Sequence, residues 1–109
     1  MVTSFVDDLI VRTKIEQTAK NLGVAVRHVD PRKITETELN DTLFLVDYMH
    51  PYGFYAARTV KNMNKDAKII GFYPHVRGYM RTEAERDGLV ALTNSEFTAR
   101  LKDILQGRL

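Results

Sequence analysis

Between Thr42 and Gly53 the chain reads TLFLVDYMHPYG, and this stretch restricts the fold more than any other. Thr42 and the four apolar residues after it, Leu43, Phe44, Leu45 and Val46, form a short run without a period. That is the pattern of a strand buried on both faces in the middle of a parallel sheet. Asp47 stands where the run ends, and His50, Pro51 and Gly53 punctuate a loop leading into a helix-like segment. Open α/β sheets bind ligands outside the carboxyl ends of their strands, so a carboxylate at this point is a candidate site.

The flanking sequence supplies the rest of such a sheet. Residues 2–6 read as a first strand ending in the pair Asp7-Asp8, followed from Leu9 by a helical face of Val11, Ile15, Ala19 and Leu22. Gly23 stands just past that face as a C-terminal stop. Residues 24–29 form a second strand closed by Pro31. In the connection from Pro31 to Asp41, Thr35-Glu36-Thr37-Glu38 has the pattern of a capping box. Ile34 and Leu39 are placed there as a staple for a turn or two of helix. Beyond Gly53, the positions Ala56, Val60 and Met63 mark another helical face. Residues 68–73 (KIIGFY) are a fourth strand, and Val76, Met80 and Ala84 predict a helix up to Asp87. Residues 89–92 are a fifth strand. A last helix, capped by Asn94 or Ser95, turns Phe97, Leu101, Ile104 and Leu105 inward.

Strand and helix alternate throughout. Right-handed crossovers then give a three-layer α/β sandwich around a five-stranded parallel sheet, with the flavodoxin-like order 2-1-3-4-5 as the leading topology. Its switch point lies between the first and third strands, where Asp7, Asp8 and Asp47 are expected to converge. A chain of 109 residues, residues 1–109, has room for one domain. The absence of cysteine excludes a disulfide framework, a zinc-thiolate site and a cysteine nucleophile. No apolar run is long enough to cross a bilayer, and the N-terminus lacks the pattern of a signal peptide, so a cytoplasmic protein without a membrane partner is expected. The net charge of +2 is spread along the chain with no basic run, so a nucleic-acid partner is not expected.

Carboxylates sharing one crevice raise each other's pKa unless a cation intervenes. Magnesium suits such a site, because it takes one or two carboxylates, several waters and a phosphate oxygen. A carboxylate beside that ion can accept a phosphoryl group. The simpler alternative is that Asp8 caps the first helix and Asp47 bonds to loop amides.

The segments FVDDL at 5–9 and LFLVDYMHP at 43–51 resemble the two acidic motifs of bacterial response-regulator receiver domains, the CheY-like family. That family carries an acidic pair after the first strand, and an aspartate after the third with a proline four residues on, as Pro51 stands to Asp47. The resemblance implies that Asp47 is the phosphoacceptor, that Asp7, Asp8 and Asp47 hold Mg2+, and that a kinase or downstream effector is the partner. It also implies a stand-alone signalling module rather than an enzyme. A homodimer would form through the face from Gly78 to Gln106. Two departures point to a divergent or pseudo-receiver. Phe72, Tyr73 and Pro74 stand where receivers end the fourth strand in Ser or Thr, and Ala91-Leu92-Thr93-Asn94 offers no lysine after the fifth.

Histidines and aromatics open other readings. His50 and His75 follow the third and fourth strands, so Asp7, Asp47, His50 and His75 together form the alternative of a small metal-dependent enzyme or cofactor binder. Seven of the ten aromatics lie between positions 48 and 79. Tyr48, His50, Tyr52, Tyr73 and His75 are therefore candidates for partner contact, since tyrosine buries a large area at small entropic cost.

Overall fold

The computed structural model describes residues 1–36 and 41–109. Five strands, β1 (Val2–Phe5), β2 (Val26–His28), β3 (Leu43–Asp47), β4 (Lys68–Tyr73) and β5 (Val90–Thr93), form a single parallel sheet. The order is β2-β1-β3-β4-β5, as the alternation of elements predicts. Helices α1 (Leu9–Leu22), α4 (Asn94–Ala99) and α5 (Leu101–Leu105) cover one face, and α2 (Gly53–Met63) and α3 (Tyr79–Arg86) cover the other.

The apolar run of β3 lacks a sequence period because both faces are buried, yet its side chains alternate in space. Phe44 and Val46 enter the core under α2 and α3, with Phe5, Ala56, Val60 and Ala84. Leu43 and Leu45 enter the core under α1, α4 and α5, with Ile15, Ile70, Phe72 and Phe97. The two-residue period of a strand then assigns the next positions. Asp47 falls on the α1–α4 side, and Tyr48 falls in the opposite core, 2% exposed. The ring of Tyr48 lies over β4, where a Cβ on Gly71 would meet its Cε2 at 2.3 Å. Its hydroxyl donates to the Val90 carbonyl of β5 at 2.9 Å. Only glycine leaves that space open, so Gly71 and Tyr48 form one packing unit between three strands.

Several elements differ from the sequence reading. β2 is shorter than residues 24–29. A 3-10 turn at Pro31–Glu36, with Ile34 fully buried, occupies the start of the next connection. The capping box and staple expected there reach into residues 37–40 and lie outside the described residues. Met63 and Val76, both read as inward, are 66% and 77% exposed. Ala57 takes the buried place on α2, and Val76 sits in a 3-10 turn (His75–Arg77) ahead of α3. The helix after β5 is capped by Thr93, one residue before Asn94 and two before Ser95. The Thr93 hydroxyl accepts the Glu96 N–H at 3.2 Å, and the Glu96 carboxylate accepts the Thr93 N–H at 2.9 Å. This capping box starts α4 directly from the end of β5, with no loop between them.

Candidate functional site

Asp47 ends β3 beside Phe72 of β4, at the carboxyl edge of the sheet. The chain turns sharply after it. The Met49 N–H donates to Asp47 Oδ1 at 2.9 Å, and the His50 N–H donates to the Asp47 carbonyl at 3.1 Å. Gly53 closes the loop against the strand, because a Cβ there would lie 2.2 Å from the same carbonyl oxygen. The carboxylate is thereby held by one oxygen while Oδ2 carries no hydrogen bond from the described residues. Burial raises its pKa above the ordinary aspartate value. The Asp8 and Asp7 charges raise it further, and the Met49 N–H and His50 pull it back.

The acidic pair after β1 is divided. Asp8 is the N-cap of α1, its Oδ1 accepting the Ile10 and Val11 N–H groups at 2.9 and 3.2 Å. The simpler reading of this residue is therefore correct for one of its oxygens. Asp7 turns away toward the β3–α2 loop, where its Oδ2 lies 2.8 Å from His50 Nε2. The Tyr52 N–H donates to His50 Nδ1 at 3.0 Å, which leaves Nε2 as the protonated nitrogen that donates to Asp7.

Two crevices open at this edge of the sheet. A cleft of about 360 Å³ is lined by Asp8 and Asp47 together with Val11, Lys14, Met49, Phe72, Asn94, Phe97 and Thr98. Phe72 of β4 and Phe97 of α4 pack with ring centroids 4.6 Å apart. A smaller crevice of about 220 Å³, over β1 and β2, is lined by Asp7 with Arg12, His28, Asp30 and Arg32. There Arg32 binds Asp30 through two nitrogens, at 3.1 and 2.7 Å.

Of the residues singled out in the sequence, the fold brings Asp8 and Asp47 into one cleft and places Asp7 and His50 beside it as a pair. Among the described residues no three His, Cys, Asp or Glu side chains are gathered closely enough to hold a metal ion. His75 is exposed in the turn after β4, and neither it nor His50 lines the Asp47 cleft. The four residues of the metal-enzyme alternative are thus not assembled. Tyr48 and Tyr73 require a correction as partner contacts: they are 2% and 4% exposed, because the strand period carries both into the core under α2 and α3. Tyr52 and Tyr55 are exposed, and their rings meet edge to face at 6.5 Å. Sequence reasoning missed Lys14, Asn94 and Thr98. The available signal for Lys14 was its spacing of three residues from Val11, which puts both on one side of α1.

No protein-family model matches the chain, and no curated protein sequence matches it. Solved structures do match. The receiver domain of NtrX from Brucella abortus superposes with a TM-score of 0.80 at 14% identity, covering 100% of this chain and 98% of that one. The BeF3-activated receiver domain of DrrB gives 0.76 at 17% identity over 96% of each chain. A CheY-like receiver domain protein from Methanospirillum hungatei gives 0.74 at 14% identity, covering 98% and 94%. Against the response regulator DrrB of Thermotoga maritima, this chain covers 52% of the other's length. At such identities the likeness is one of fold: the chain has the receiver-domain fold, a five-stranded flavodoxin-like sandwich.

Proposed function

We propose that this domain is a receiver-like signalling module whose working residue is Asp47. The observation that carries the reading is the position of that carboxylate. It ends the central strand, is restrained by the Met49 N–H, and opens onto a cleft shared with Asp8. Partial burial makes the ionised carboxylate a poorly solvated and more basic nucleophile than a surface aspartate.

In the proposed step an Asp47 oxygen attacks the phosphorus of a phosphodonor, either a phosphohistidine of a kinase or a small acyl phosphate. A phosphorus–oxygen bond forms to Asp47 and the donor's bond to phosphorus breaks, its electron pair leaving with the imidazole or the carboxylate. The chain is then substrate and signal carrier rather than enzyme. Two carboxylates in one cleft fit the needs of Mg2+, which keeps most of its waters. Asp8 and Asp47 would hold it; Asp7, which contacts His50 through Oδ2, does not line that cleft. The ion would supply neutralising charge for the carboxylates and for the oxygens of an incoming phosphoryl group.

The phosphoacceptor role is tested by incubating the protein with magnesium and acetyl phosphate and reading the intact mass. A single phosphoryl adduct that is absent in Asp47→Asn supports the role, and no adduct, or one that survives the substitution, removes it. Output to a protein partner follows from such a role, with the exposed Tyr52, Tyr55 and His75 beside the site as contacts. Self-association through the face from Gly78 to Gln106 is checked by sedimentation, where a monomeric mass at high concentration would contradict it.

A further inference from the structure

The cleft around Asp47 separates acceptors from donors. Asp8 and Asp47 offer only acceptor oxygens when ionised, whereas the other polar lining residues, Lys14 of α1 and Asn94 and Thr98 of α4, bring an ammonium, an amide and a hydroxyl. The same three donors line the opening of about 420 Å³ that continues beside the cleft, with Ser95 and Ala99. Among the described residues lining either space, Lys14 is the one cation. It makes no ion pair with any described residue. Lys14 therefore shares the cleft with Asp8 and Asp47 without an ion pair to either. Because α4 springs directly from β5, its first turn forms the wall where a loop would otherwise stand.

We infer that Lys14, supported by Asn94 and Thr98, is the cation that receives a small tetrahedral oxyanion of the phosphate class in this cleft. This rests on the reading of the Asp47 cleft as a phosphoryl site and adds to it the group that balances the charge. A phosphoryl group beside two carboxylates meets repulsion from both. A donor wall with one full positive charge offsets part of that repulsion, and charge-assisted hydrogen bonds to phosphate oxygens are the strong ones. Lysine acts here as a point charge on a long flexible stem, which suits a site on a helix several residues from the strand ends.

The test titrates inorganic phosphate, with magnesium chloride present, into the wild-type chain and into Lys14→Met, Lys14→Arg and Lys20→Met. The amide signals of Asn94 and Thr98 are the readout. Lys20 is an exposed lysine in the last turn of the same helix and controls for net charge alone. Wild-type binding at Asn94 and Thr98, weakened about tenfold or more in Lys14→Met, is expected from the loss of one charged hydrogen bond. Lys14→Arg should retain it, and Lys20→Met should leave it unchanged. Binding indifferent to Lys14→Met, or no phosphate effect on these amides, would overturn the assignment. Acetyl phosphate labelling of the same proteins separates the two proposals. Lys14-dependent phosphate binding without labelling removes the phosphoacceptor reading alone. Labelling and phosphate binding that both ignore Lys14→Met remove the Lys14 assignment alone.

Discussion

The two crevices at the carboxyl edge of the sheet differ in how far their carboxylates are already held by other side chains. In the crevice over β1 and β2, Asp7 is held by His50 and Asp30 by a two-nitrogen contact with Arg32. In the cleft over β3 and β4, Asp8 spends one oxygen on helix α1 and Asp47 spends one on the Met49 amide. Lys14 lines the same cleft without an ion pair among the described residues. Both contain carboxylates and cations, so acidity alone does not mark the functional one. The distinguishing feature is charge held in place by the fold yet left with bonding capacity for something else.

Substitutions can break this comparison, and the largest effect should come from the frame rather than from either crevice. Gly71→Ala would push a methyl group into the Tyr48 ring, which adjoins Asp47 in sequence and anchors to Val90. A loss of about 1–3 kcal/mol, the usual range for overpacking, is expected in denaturant unfolding. Signals of the Asp47 loop should shift in the folded remainder. Asp8 sharpens the comparison because it has two roles. Asp8→Ala should cost about 1 kcal/mol through the lost N-cap. Asp8→Asn should keep most of that stability while weakening magnesium binding at the cleft, as followed by calorimetric titration.

The pH dependence of Asp47→Asn is set by the raised pKa. A carboxyl that is harder to ionise when folded binds more protons in the native state, so its contribution is present below the ordinary value of 3.8 and lost as pH rises through the folded pKa. Asp47→Asn should therefore melt higher than wild type at neutral pH, with the gain shrinking toward zero as pH falls to 3.8. A constant gain at all pH values would remove burial of the charge as its cause. The smallest effect is expected at the paired crevice. Asp7 is more than half exposed, so His50→Ala should cost less than about 1 kcal/mol. It should also free Asp7 and slightly tighten magnesium binding at the neighbouring cleft. A larger loss of stability would mean that the pair organises the loop.

The sequence makes Asp47 readable for a physical reason. A doubly buried strand must be apolar, so the first carboxylate after it marks the sheet edge. The same strand period also hides something: Tyr48 looks like a loop residue after Asp47, yet it continues the alternation into the opposite core and depends on Gly71, 23 positions away. Asp7 and Asp8 are adjacent in sequence, but one starts a helix and the other does not, so they leave β1 in different directions. That division depends on the partner His50, which only the fold brings near. Choosing Asn94 or Ser95 as the cap misses the Thr93–Glu96 capping box, and with it the direct passage from β5 into α4. Lys14 is likewise not legible, because reading α1 by its apolar face passes over a charged residue beside that face.

An amide NMR titration with magnesium, followed by beryllofluoride as a phosphoryl mimic, tests the distinction between the crevices most directly. Shifts concentrated at Asp8, Lys14, Asp47, Met49, Asn94 and Thr98, with Asp7, Asp30 and Arg32 little changed, are the expected result. Shifts centred on Asp7, Asp30 and Arg32, or no response to either addition, would contradict the assignment of Asp47 as the working residue.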